Sequence, residues 1–331
     1  MNGKVDDRRP IASLSLDLDN KWSYLRTHGD SSWEAYPSYL PQVVPIVLDF
    51  LEQRDLTITF FVVGQDVLNE AHHELFRDIA AAGHEIANHS LNHLPWLHLL
   101  SKEELDREIR STQEAISQVC GVEMTGFRGP GFSISQEHLA ALAEQHYAYD
   151  ASTFHNILNP IARAYFFSKS KLTDEEKKQR KGLFGTYRDA LRPLKPFQWN
   201  LGQKSLLEIP VTTMPLLRIP IHFSYLIYLA SYSKQLSRAY FRLALMLCRL
   251  TRTAPSLLLH PLDFLGREDE RDLDFFPGMS LSRDEKLGIL DDCLGVLTRS
   301  HRVVTMAEHA QAAAEGPRDL ERISPSQSLQ H

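Results

Sequence analysis

From residue 11 onward, short apolar or β-branched runs alternate with longer amphipathic stretches, which confines the chain to a parallel β/α architecture. Ile11-Ala12-Ser13-Leu14-Ser15-Leu16 alternates up to Asp17-Leu18-Asp19-Asn20. Thr57-Ile58-Thr59-Phe60-Phe61-Val62-Val63-Gly64 reads as a buried second strand. Between them lie a loop rich in aromatics (Trp22, Tyr24, Trp33, Tyr36) and a helix from about Pro37, with Val43, Val44, Val47, Leu48 and Leu51 at helical spacing. A helix over about 65–82 leads through Gly83 into a third strand carrying His89 and His93. Ser101-x-x-Glu104 opens a long helix ending near Gly121. Further strands are expected at 125–128, 147–152, 206–211, 255–260 and 302–306, with helices over about 135–146, after Ser282-x-x-Glu285, and in the Ala-rich stretch that follows residue 306. The count of units predicts a distorted (β/α) barrel.

Four segments depart from this rhythm. Residues 1–10 form a polar N-terminal extension, and the polar tail, 316–331, is expected to be disordered. An insertion over about 155–204 carries a mixed charge run, Lys169 to Lys181, and is either a solvated excursion or a substrate lid. From about 216 to 252, Ile219, Ile221, Phe223, Leu226, Ile227, Leu229 and Ala230 crowd together, and then Arg238, Arg242, Arg249 and Arg252 interleave with leucines. Pro220, His222 and the basic residues prevent it from spanning a bilayer. A crossover helix packed on the barrel is the favoured reading, and an interfacial helix on anionic lipid is the alternative.

Composition excludes more than it identifies. A net charge of −6 gives no sign of nucleic-acid binding. Cys120, Cys248 and Cys293 are odd in number and far apart, so a disulfide framework is not expected and a reducing compartment fits. The polar start, Met1 to Pro10, lacks the apolar core of a signal peptide. The expectation is a cytoplasmic protein, free or peripheral to the inner face of the membrane.

Gly83-His84-Glu85-Ile86-Ala87-Asn88-His89-Ser90-Leu91-Asn92-His93 reads as half of a metal site. On a helical turn His89 and His93 would share a face and reach one ion. Asp17 and Asp19, two apart where a strand should end, share a face in a strand and offer the third ligand. Two imidazoles and one carboxylate leave a zinc position open, the mark of a catalytic site. The bland readings are two core or surface histidines and a solvated Asp-Asn turn.

Asp17-x-Asp19, Asn88-His89-Ser90-x-x-His93, Phe127-Arg128-Gly129-Pro130-Gly131-Phe132 and Leu258-Leu259-His260, in that order, resemble the polysaccharide deacetylase family, the NodB-homology carbohydrate esterases. The resemblance implies a NodB-type (β/α)7-8 barrel forming a single catalytic domain over 11–315. It implies Asp17 as catalytic base, Asp19, His89 and His93 as metal ligands, and His260 as general acid. It further implies that Asp150 orients His260 and that Arg128 pairs with the base. Leu18 separates aspartates that more commonly adjoin, and Ser152 stands where a tryptophan is usual, which puts the pocket wall in doubt. Trp22, Tyr24 and Phe132 are candidates for stacking on a sugar, and Glu208 for a polar group near the mouth.

The expected activity is metal-dependent hydrolysis of the N-acetyl, or another N-acyl, group of an amino sugar in a glycan or glycan precursor. The carbohydrate is either free or lipid-linked, and residues 216–252 are the place for any peripheral membrane contact. The ion is Zn2+ by ligand type, with Co2+, Ni2+ and Mn2+ able to occupy similar sites. The rivals are a hydrolase of a non-sugar linear or cyclic amide, and an inactive barrel that binds glycan or membrane.

Overall fold

The computed structural model describes residues 9–179, 192–316, 320–325 and 329. Its strands are β1 (Ile11–Asp17), β2 (Thr59–Val62), β3 (Glu85–Asn88), β4 (Gly126–Phe127), β5 (Tyr149–Asp150), β6 (Phe197–Leu201), β7 (Lys204–Glu208), β8 (Ser256–Leu259), β9 (Arg302–Val304) and β10 (Arg322–Ile323). Helices on the N-terminal side are α1 (Lys21–His28), α2 (Leu40–Glu52), α3 (Gly64–Val67), α4 (His73–Ala81), α5 (Lys102–Cys120) and α6 (Gln136–Glu144). They are followed by α7 (Asn159–Lys169), α8 (Asp174–Gln179), α9 (Phe223–Tyr232), α10 (Lys234–Thr251), α11 (Arg283–Ser300) and α12 (Met306–Ala314).

One mostly parallel sheet runs β10-β6-β7-β5-β4-β3-β2-β1-β8, with β9 on β1 and an antiparallel β6–β7 hairpin. A short bridge between Phe154 and Val211 carries the pairing beyond β7. The Thr212 N–H then donates to the Ser256 carbonyl (2.9 Å) and the Ser256 N–H to the Thr212 hydroxyl (2.8 Å). These bonds draw the β7 exit against β8 without a full ladder, and the expected distorted barrel results.

The alternation in β1 sorts its two faces. Leu14 and Leu16 join the large cluster under α2, α4, α9, α10 and α11. Ser13 and Ser15 take the opposite face, bonding His309 and the Leu257 carbonyl. A smaller cluster contains Phe61, Ala87, Tyr149, Ala151, Leu207 and Ile209, with Met306 and Ala310 of α12 packed into it. Gly126 faces Tyr149, where a Cβ would lie 2.0 Å from the ring. Only glycine fits there without displacing the tyrosine.

Four expectations are corrected. The aromatic loop after β1 contains α1, capped by Asn20 and closed at Gly29 with φ 78°. The insertion is partly regular, holding α7, α8 and β6, while 180–191 lie outside the described residues. The tail expected to be disordered supplies β10, which pairs with β6; most of the N-terminal extension lies outside the described residues. Residues 216–252 form not one crossover helix but the pair α9 and α10. That pair buries Phe223, Leu226, Ile227, Phe241 and Leu245 and exposes Tyr232, Leu236, Leu243, Met246 and Leu250. Among the described residues, no helix is long and apolar enough to cross a membrane.

Candidate active site

The strand ends converge on one cluster of ligating atoms. β1 stops at Asp17, and the Leu18 N–H still donates to the Phe61 carbonyl (2.9 Å), so Asp19 is held beyond the strand while Leu18 turns into the core. The Tyr39 hydroxyl donates to the Asp19 carbonyl. Asn20 donates to Asp66 (2.7 Å), and the Trp22 indole N–H donates to the same oxygen (2.8 Å). Burial pushes the Asp66 carboxyl up to about 7.

His89 and His93 reach this carboxylate from a loop rather than from a helical turn. Ser90 (φ 63°) and His93 (φ 47°) are left-handed, a conformation uncommon for residues with a side chain. The Asn88 side chain accepts from the Ser90 N–H (2.8 Å) and donates to Tyr147 (2.7 Å) and to the Ile109 carbonyl (2.9 Å). Glu108 of α5 accepts from both the backbone and the side chain of Asn92. So held, His93 Nε2 lies 2.8 Å and His89 Nε2 3.3 Å from Asp19 Oδ1.

All three side chains are buried, and one ligand atom from each lies within 4.8 Å of the others. Burial would push the Asp19 carboxyl up, but the facing His93 and His89 imidazoles outweigh it and hold the group well below the carboxylate range. Burial likewise would lower His89, and Asp17 and Asp19 reverse that and raise it. His89 Nδ1 faces the Arg128 carbonyl at 2.7 Å, so the proton belongs on Nδ1 and the Nε2 lone pair points at Asp19. Two imidazole nitrogens and a carboxylate oxygen crowded without a proton donor between them fit a divalent cation.

Arg128, at the end of β4, is fully buried. Its guanidinium donates to Asp17 (2.5 Å), to Ser15 (2.9 Å) and to the Ala151 carbonyl (3.1 Å), and lies 4.1 Å above the Phe61 ring. Asp17 is thus gripped from one side next to the cluster. Gly129 follows because a Cβ there would meet the Ser133 carbonyl at 2.2 Å.

A polysaccharide deacetylase family model matches residues 30–149, the segment that carries both histidines and Arg128. Over this segment the chain is similar to the polysaccharide deacetylase family. It is similar to a chitooligosaccharide deacetylase of Rhizobium leguminosarum bv. trifolii, 40% identical over 80 residues, covering 24% of this chain and 36% of that one. A chitin deacetylase of Cryptococcus neoformans is 34% identical over 101 residues, covering 30% and 21%. A peptidoglycan-N-acetylglucosamine deacetylase of Bacillus cereus is 29% identical over 106 residues, covering 32% and 38%. The matches therefore span between about a fifth and two fifths of these relatives' length. A crystal structure from Mycobacterium smegmatis, provisionally named a polysaccharide deacetylase, has the same fold, with a TM-score of 0.61 at 21% identity over 97% of this chain and 96% of that one.

The other expected site residues are placed differently from one another. His260, just past β8, lines a cavity of about 650 Å³ together with Tyr24 and Phe132. Asp150 does not hold it. Asp150 accepts from Ser152 (2.6 Å), which accepts from the Gly129 N–H, and burial together with neighbouring Glu208 pushes its carboxyl well up. His260 Nδ1 instead meets the Ser224 hydroxyl at 3.0 Å. Ser224 also reaches Asp263, which accepts from the His260 backbone N–H (2.8 Å). Burial raises the Asp263 carboxyl, while His260 and Ser224 favour its charged form.

Two more expectations are corrected. Trp22 is buried with its indole committed to Asp66, so it is not available to stack on a sugar. Glu208 is fully buried, accepting from Thr153 (2.6 Å) and from the Trp199 indole (2.8 Å), so it braces the barrel end instead of lining the mouth. Sequence reasoning missed Ser224, Asp263 and Glu108, and it quoted Asn88 in a motif without giving it a role. The capping-box spacing of His260 and Asp263 is the one local signal that pointed toward any of them.

Proposed function

We propose that this chain is a metal-dependent hydrolase that removes an N-acetyl, or more broadly an N-acyl, group from an amino sugar in a glycan or glycan precursor. The observation that carries the reading is the convergence of Asp19, His89 and His93 beside the Arg128-held Asp17. Asp19, His89 and His93 would hold one divalent ion, Zn2+ by ligand type, with Co2+, Ni2+ or Mn2+ as alternatives. When bound there, such an ion would supply Lewis acidity toward a water and the acyl oxygen.

The chain's own residues handle the protons. Asp17, kept in place by Arg128 and Ser15, accepts a proton from the attacking water. His260 delivers a proton to the departing nitrogen, with Ser224 and Asp263 fixing its ring. The C–N bond breaks, the water oxygen ends on the carboxylate product, and the sugar leaves with a free amine. The cysteines, of which Cys248 and Cys293 are buried and all three are unpaired, support a reducing compartment, and we place the reaction there on a biosynthetic intermediate. The apolar side chains that α9 and α10 leave exposed support peripheral contact with a membrane carrying that intermediate.

A panel of N-acetylhexosamines, ureides and formamides tests the reading by amine and acid release. Turnover confined to N-acetyl sugars supports it. Turnover confined to the ureides or formamides replaces it with amide hydrolysis outside carbohydrates.

A further inference from the structure

The cavity beside His260 has a predominantly aromatic wall. Phe132, Phe154, Phe166, Tyr225 and Phe275 supply much of its wall, and its volume of about 650 Å³ lies well inside the range of small-molecule sites. A hexosamine carries hydroxyls around its ring, and those set against this aromatic stretch would lose water, while polar partners such as Asn156, Asn159, His222 and Ser224 occupy only part of the lining. A void of this size with apolar walls also forfeits dispersion contacts that an apolar occupant restores.

The apolar wall continues outward along α7 and α9, with Lys169 and Arg192 as charged members of the lining. Ile161 (68% exposed) and Tyr165 (46%) on α7, with Tyr228 (36%) on α9, line the same cavity and stand open at its rim. At the inner end the lining reaches Ser224 and His260, whereas Asp17, Asp19, His89 and His93 are not part of it. The apolar space therefore adjoins the proton donor for the leaving amine and is separate from the ligand cluster.

We propose that the substrate carries an extended apolar chain and that this cavity binds the chain while the scissile amide sits between His260 and the Asp19, His89, His93 cluster. The proposal rests on the N-deacylase reading. The chain has two possible sources, a lipid attached to the sugar or a long N-acyl group. The position of His260 on the amine side favours the first.

Two substrate series separate the sources. One varies the 1-O-alkyl group of N-acetylglucosamine through methyl, butyl and octyl, and the other varies the N-acyl group of methyl glucosaminide through acetyl, butyryl and octanoyl. All are kept below micelle-forming concentrations. In the productive series kcat/KM should rise roughly fourfold per methylene that enters the cavity. Ile161→Asn and Phe275→Asn should flatten that rise. Octyl glucoside, which has no amide, should bind the protein in calorimetry, about tenfold more weakly in either variant.

A rise in the alkyl series assigns the chain to a lipid on the sugar, and a rise in the acyl series assigns it to the acyl group. Octyl glucoside binding with no hydrolysis of any amide would keep the chain site and remove the deacylase reading. Hydrolysis at a rate indifferent to length in both series, with no octyl glucoside binding, would overturn the proposal and leave the deacylase reading standing.

Discussion

His89 Nδ1 lies 2.7 Å from the carbonyl oxygen of Arg128, the residue whose guanidinium grips Asp17 at 2.5 Å. One residue thus sets the tautomer of His89 through its backbone and the position of Asp17 through its side chain. The two roles separate by mutation. Arg128→Lys keeps the carbonyl but cannot reach Asp17, Ser15 and Ala151 together. Metal content should stay near wild type while kcat falls about a hundredfold or more. Loss of metal together with activity would mean that the guanidinium, not the backbone, organises the ligands.

Ser224 stands between His260 and Asp263. Ser224→Ala should lower kcat by about tenfold to a hundredfold with little change in KM, and Ser224→Thr should restore most of the loss, because what is removed is orientation of the proton donor. A pure rise in KM would assign Ser224 to substrate binding.

His138 is wholly buried against Phe127, with no hydrogen-bond partner for either ring nitrogen, and burial lowers its pKa to about 3. The folded state keeps the ring neutral while the unfolded chain protonates it near 6.5, so this group's contribution is intact above 6.5 and is lost as pH falls toward 3. At pH 5 the loss is about 2 kcal/mol relative to pH 7.5. Urea unfolding of wild type and His138→Leu at both pH values should show the variant losing less stability on acidification by that amount. Equal losses would contradict it.

Gly126→Ala should destabilise by about 1–3 kcal/mol, since the new methyl would meet Tyr149, whose hydroxyl is committed to Glu85 at 2.8 Å. Thermal unfolding checks this, and an unchanged midpoint would show that Tyr149 can yield.

What the sequence disclosed followed local pattern. The serine–leucine alternation of β1 foretold both its faces, and the Asp17-x-Asp19 spacing survived because Leu18 is anchored in the core. The approach of His89 and His93 to one carboxylate was legible but their loop was not, because its shape depends on Asn88 being anchored to Tyr147 and the Ile109 carbonyl and on Glu108 of α5 holding Asn92. Trp22 and Tyr24 looked alike as stacking rings, and they are separated by the burial of Trp22 on its partner Asp66 while Tyr24 lines the cavity. Ser224 bonds a histidine 36 residues away, a pairing that the packing of α9 creates and no local motif announces. The β6–β7 hairpin was hidden for a similar reason: its strands carry lysine, serine, glutamine and asparagine among the apolar residues, and its apolar members Phe197, Trp199 and Leu206 pack against α6 and β4.

The measurement closest to the central claim is metal titration of chelator-stripped protein, following bound metal and acetate release from an N-acetyl sugar together, in wild type and Asp19→Ala. Acetate release should return in proportion to bound metal and level off at about one equivalent, with neither binding nor release in the variant. Acetate release that ignores the chelator, or a variant that retains both metal and activity, would contradict it.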